Sequence, residues 1–168
     1  MPRSVPRYSA LILSIFLVLG GAASAATGGS ETKPRKWVRG IYVAETPLAE
    51  TLPRSLAWSR ANNMAQQHGG IALEGQGGSM EPLYAPGTIL VVAPADFETL
   101  ARGQTVVYLS KRRTQVAHVL VAKCPDGWRV AGLGNRTYDD EGVREDNLMG
   151  VVVAAYAPVE DRIVALNR

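Results

Sequence analysis

Three side chains in this sequence have the types that acyl transfer requires. Ser79 occupies a glycine-rich turn, Gly75-Gln76-Gly77-Gly78-Ser79-Met80-Glu81-Pro82-Leu83-Tyr84-Ala85. Glycine lets the backbone pass close to a ligand. A serine held on such a turn offers both its hydroxyl and its own amide to one substrate atom. His118 lies in the run Gln115-Val116-Ala117-His118-Val119-Leu120-Val121-Ala122, on the same face as Val116, Leu120 and Ala122 by period-two alternation. Imidazole as a side-chain type titrates near neutrality, which suits a general base. Asp139 and Asp140 follow the next apolar run, where a carboxylate could orient that imidazole. Each residue also has a plain reading: Gly-Gly-Ser as a surface turn, the histidine as a satisfied core residue, the aspartates as a solvated acidic turn.

The elements that must position these groups are mostly strands. Apolar runs separated by turn signals predict strands at 71–73, 88–92, 105–109, 116–122, 128–131 and 151–156, hence a mainly β domain. Pro125-Asp126-Gly127 marks a hairpin turn, and Lys111-Arg112-Arg113 caps another hairpin loop. One short helix is predicted from Arg54 to about Gln67, where Ala57, Ala61, Met64 and Ala65 fall at helical spacing and Gly69-Gly70 ends the pattern. His68 beside that stop suits a helix C-terminus rather than chemistry. The organisation expected is a hydrophobic N-terminal segment at 1–25, a spacer at 26–53, a helical extension at 54–70 and the β domain at 71–168.

Composition narrows the function classes. The net charge of +3 is concentrated at the start: Arg3, Arg7, Lys33, Arg35 and Lys36 stand against Glu31 alone, which leaves the rest at −1. No basic face is implied for the folded part, so nucleic acid is not an expected partner. Cys124 is the single cysteine and His68 and His118 the two histidines, so neither a disulfide nor a thiolate or multi-histidine metal site is expected, and no cofactor is implied. Arg3 and Arg7, the apolar run at 10–19, and Ala23-Ser24-Ala25 have the order of a secretory signal peptide. Left uncleaved, the segment would act as a membrane anchor. Either outcome places the domain outside the cytoplasm, periplasmic or secreted in the first case and membrane-bound in the second.

The motifs together resemble the signal peptidase I and repressor-autoprotease (LexA-like) superfamily of serine peptidases, and most of all its histidine-using branch of endoplasmic reticulum and archaeal type. The likeness runs over about 75–156. It rests on Gly78-Ser79-Met80-Glu81-Pro82, Pro86-Gly87-Thr88-Ile89-Leu90-Val91-Val92, Gly103-Gln104-Thr105-Val106-Val107-Tyr108, Val116-Ala117-His118-Val119, Gly132-Leu133-Gly134-Asn135 with Asp139, and Asp146-Asn147-Leu148-Met149-Gly150-Val151. Several collinear matches are more specific than any one. The resemblance implies a coiled β-sheet peptidase fold, Ser79 as nucleophile, His118 as base and Asp139 as orienting acid, with Asp140 in its place if the turn shifts by one residue. Gly78, Met80 and Pro82 become oxyanion or substrate contacts. Lys111 and Lys123 are the rival bases, and neither aligns. Leu133 stands where endoplasmic reticulum relatives carry a second acid, and Gly77 where some relatives carry a hydroxyl.

The activity implied is endoproteolysis of exported precursor proteins after small residues, with the substrate pairing as a strand to an exposed edge near Ser79. Two other uses remain open at this stage. One is maturation of a single dedicated partner; the other is a binding module of the same fold with weak or lost turnover, for which Leu133 speaks.

Overall fold

Runs too short to show a hydrophobic period can still be built into a sheet, and the N-terminal part of this domain is built that way. The computed structural model describes residues 36–160. In it, β1 (Trp37–Val38) and β2 (Ile41–Tyr42) form a small hairpin, and β3 (Ala49–Pro53) joins the main sheet. The described part of the expected spacer is therefore folded into the domain: Val38 and Val43 sit in one core with Met80 and Leu133, and Leu52 joins another. Thr46 is buried and bonds the Gly103 carbonyl at 2.7 Å and the Thr105 hydroxyl at 2.9 Å, which fastens this segment to the sheet. Two-residue strands carry too few side chains for alternation to be seen.

Helix α1 (Arg54–Gln67) follows, then β4 (Ile71–Glu74), β5 (Ile89–Ala93), β6 (Thr105–Leu109), β7 (Gln115–Cys124), β8 (Gly127–Ala131) and β9 (Leu148–Val159). The helix and every predicted strand are present, and Pro125 and Asp126 make the β7–β8 turn. Seven strands form one sheet in the order β4-β5-β9-β6-β7-β8, antiparallel except that β3 runs parallel to β9. Strand β9 is the spine. It pairs with β5 along one edge, and with β6 and then β3 along the other. Register shifts at Val91/Val92, Val107/Tyr108 and Leu120/Ala122 bend the strands they interrupt.

Helix α1 presents Ala57, Ala61 and Ala65 to Ile89, Val91 and Tyr156, and small side chains let it lie close to β5 and β9. Its surface ion pairs, Arg54 with Glu74 and Arg60 with Glu50, are exposed and add little stability. The apolar N-terminal segment lies outside the described residues. Among the described residues, no helix is long and apolar enough to cross a membrane.

Candidate active site

The Ser79 turn leaves the edge strand β4 and is fixed by its own backbone. Glu81 N–H donates to the Gly78 carbonyl at 3.1 Å, and the Leu83 and Tyr84 amides both reach the Met80 carbonyl, at 3.0 and 3.1 Å. Buried Met80 and Tyr84 peg the turn into the core. The Tyr84 hydroxyl donates to the Pro47 carbonyl at 2.6 Å, and burial pushes its pKa up, which keeps it a donor. The Ser79 amide makes no hydrogen bond among the described residues. It is available to a substrate oxygen.

Strand β7 supplies His118, 5% exposed and opposite Val106 of β6. Its Nε2 lies 3.0 Å from Ser79 Oγ, and its Nδ1 bonds Asp139 Oδ2. The Asp139 amide donates to the Val130 carbonyl at 3.1 Å, which holds the loop after β8 in reach of the imidazole. Burial pushes the Asp139 carboxyl up, but the hydrogen bonds from His118 and Tyr108, with the electrostatic attraction of the imidazole, outweigh it and hold the group below its ordinary value. An ionised carboxylate only accepts, so His118 Nδ1 carries the proton and Nε2 is left to accept from Ser79.

Tyr108 is the residue that sequence reasoning missed. Its hydroxyl donates to Asp139 Oδ2 at 2.6 Å, the same oxygen that His118 uses. Burial pushes the phenol up, and the hydrogen bond and charge of Asp139 and the charge of Glu141 push it further, so it remains a donor. The β6–β7 register held the signal: Val106 faces His118 and Tyr108 faces Val116, which puts Tyr108 diagonal to His118 on one face.

The loop after β8 closes on the serine turn at two glycines. Gly134 N–H donates to the Ser79 carbonyl at 2.7 Å. A Cβ at Gly132 would stand 2.7 Å from the Ser79 carbonyl oxygen and 2.8 Å from His118 Nε2, and one at Gly134 2.7 Å from the Gly78 carbonyl oxygen. Gly132→Ala is therefore expected to push Ser79 and His118 apart and, if the site turns over an acyl substrate, to lower kcat by about 10²-fold, the scale of a misplacement near 1 Å. Labelling of Ser79 by a serine-reactive probe, alongside turnover and a melting curve, checks it; an unchanged rate in a folded variant would mean that the loop yields instead. Between the glycines, Leu133 is fully buried in the apolar core, and its carbonyl accepts from Arg39 at 3.3 Å. Arg39 reaches it from the β1–β2 turn, a second contact that the sequence did not reveal.

The remaining expected site residues divide. Met80 lines a cleft of about 610 Å³ beside Ser79, with Tyr84, Leu90, Val107 and Ala117 as its apolar floor. Gly78 is exposed in the turn, and Pro82 is exposed and lies outside that cleft. Asp140 is exposed and makes no bond to His118 among the described residues, so the geometry selects Asp139. Of the two lysines, Lys123 pairs with Glu98 at 2.9 Å and Lys111 sits exposed in the β6–β7 loop. Among the described residues no group of three or more His, Cys, Asp or Glu side chains could hold a metal ion.

No family model matches the chain, and no curated protein matches it. The geometry and the sequence motifs carry the functional reading.

The cleft has two strand edges as walls. Strand β4 is the outer strand of the sheet. Opposite it, residues 115–118 of β7 pair with β6 on one side only, because β8 begins to pair at Val119. An extended peptide laid between them would find backbone donors and acceptors on both sides.

Proposed function

We propose that this chain is a serine endopeptidase of the signal peptidase type, cutting exported precursor proteins after small residues. The observation that carries the proposal is the continuous hydrogen-bonded path Ser79–His118–Asp139, opening on a cleft walled by strand edges. A surface turn, a core histidine and a solvated acidic loop have no reason to converge in this order.

In the proposed reaction, His118 Nε2 takes the Ser79 proton as Oγ attacks the scissile carbonyl. The oxyanion that forms accepts a hydrogen bond from the Ser79 amide. His118 then gives its proton to the leaving amine, whose bond to carbon breaks, and an acyl-enzyme remains on Ser79. Water, deprotonated by the same nitrogen, releases the acid. Asp139 keeps the imidazole in the required tautomer throughout and stabilises its charged form. The apolar floor favours uncharged side chains next to the scissile bond, and the preference for small ones is what the motif resemblance implies. The N-terminal segment supports export, with the domain acting outside the cytoplasm.

A fluorophosphonate probe tests the reading. Labelling is expected on the tryptic peptide that contains Ser79 and is expected to vanish in His118→Ala, while an exported precursor is cut after a small residue. Labelling that survives loss of His118, or a labelled enzyme that still cuts, would sink the proposal.

A further inference from the structure

We propose that the same cleft selects for an acidic side chain, read by Arg113 about four or five residues from the scissile bond. This inference rests on the peptidase reading for its reference point, the bond at Ser79. Arg113 lines the cleft together with Thr114 and Gln115. It precedes His118 by five positions, and a strand rises about 3.3 Å per residue, so a peptide paired with β7 passes Arg113 some four or five residues from the bond being cut.

The local backbone points the same way. Lys111, Arg112 and Arg113 form a three-residue hairpin loop between β6 and β7, closed by Ser110 N–H to the Thr114 carbonyl at 2.9 Å and Arg113 N–H to the Ser110 carbonyl at 2.8 Å. Arg113 has φ 58°, in the left-handed region where such loops ordinarily place glycine. An arginine there strains the turn, and the residue lines the cleft. The loop is braced on its far side, where both Glu141 carboxylate oxygens accept from the Lys111 amide at 3.1 and 3.0 Å.

Among the described residues the charge is unmatched. Across the cleft the one carboxylate in the lining is Glu74, and Arg54 holds both of its oxygens at 3.1 and 3.0 Å. Among the described residues no carboxylate pairs with Arg113, whereas Lys111 and Arg112 line a separate pocket with Asp139, Asp140 and Glu141. A guanidinium offers a planar fork of donors that fits one carboxylate well. A glutamate or aspartate on the peptide supplies that group, whereas a lysine or arginine meets repulsion.

The test uses full-length protein in detergent micelles and a peptide library with a small-residue cleavage core and randomised flanks. Products sequenced by mass spectrometry are expected to show Asp and Glu enriched about fivefold at one position, the scale of an exposed ion pair. Arg113→Gln removes the enrichment and Arg113→Glu turns it towards Lys and Arg. High salt erodes the preference. A flat profile, or one indifferent to Arg113→Glu, overturns the proposal. A binding arm separates this failure from failure of the peptidase reading: with Ser79→Ala, fluorescence anisotropy compares a labelled acidic peptide with its lysine counterpart. If wild type cuts nothing, the peptidase reading falls and the binding arm decides. Tighter binding of the acidic peptide that reverses in Arg113→Glu upholds Arg113; equal affinities, or no binding, overturn it.

Discussion

Alanine at Ser79 is expected to lower kcat by on the order of 10⁶, alanine at His118 by a similar factor, and the double variant by no more than either alone. The 3.0 Å contact between Ser79 Oγ and His118 Nε2 is the reason. A serine hydroxyl is a weak nucleophile until a base takes its proton, and a base with no hydroxyl to serve contributes nothing to attack. In the proposed mechanism each residue works only through the other, and removing the second removes nothing further. Residual activity would come from the cleft and the Ser79 amide, which bind and polarise the substrate in both variants. Steady-state kinetics on a single precursor peptide, with melting curves to confirm folding, check the result. Multiplicative losses in the double variant would show that the two side chains act independently.

Much of this arrangement was legible because its signals are local. Helix α1 announced itself through alanines at helical spacing, and the strands through β-branched runs between turn residues. Ser79 and His118 stood out by type and setting. What escaped are features made by packing across the chain. The segment 36–53 reads as spacer because its strands are too short to alternate, yet Val38, Val43 and Leu52 are buried against residues distant in sequence. Gly132 is a turn glycine in the sequence; only the fold brings its α-carbon against Ser79 and His118. Tyr108 reads as an ordinary strand aromatic until the β6–β7 register places it diagonal to the histidine. Leu133 reads as a missing acid, whereas its burial among Met80, Val119 and Val152 makes it a core residue whose side chain anchors the loop.

That apolar residue makes the support of Asp139 the decisive feature of the site, and Asp139→Ala is expected to cost about 10⁴ in kcat. Asparagine is expected to be milder, about 10², for a reason particular to this geometry. His118 Nδ1–H and the Tyr108 hydroxyl both donate to Oδ2. Both donors meet that one oxygen, and an asparagine that keeps its carbonyl oxygen there preserves both bonds. The imidazole keeps its tautomer and only the negative charge is lost. Removing the phenol as well frees the amide to rotate and donate to Nδ1, which forces the proton onto Nε2 and blocks deprotonation of Ser79. Tyr108→Phe combined with Asp139→Asn should therefore fall to the level of Asp139→Ala, although Tyr108→Phe alone is mild. Stability should follow the same carboxylate. Its folded pKa is depressed, so its contribution is present above the unfolded value near 4 and is lost as pH falls through the folded one. Denaturant melts should show wild type more stable than Asp139→Asn at neutral pH, with the gap narrowing below about pH 4. A single asparagine variant as inactive as alanine would mean that Tyr108 does not set the amide's orientation, and a gap that persists at low pH would mean that Asp139 does not carry its charge in the folded protein.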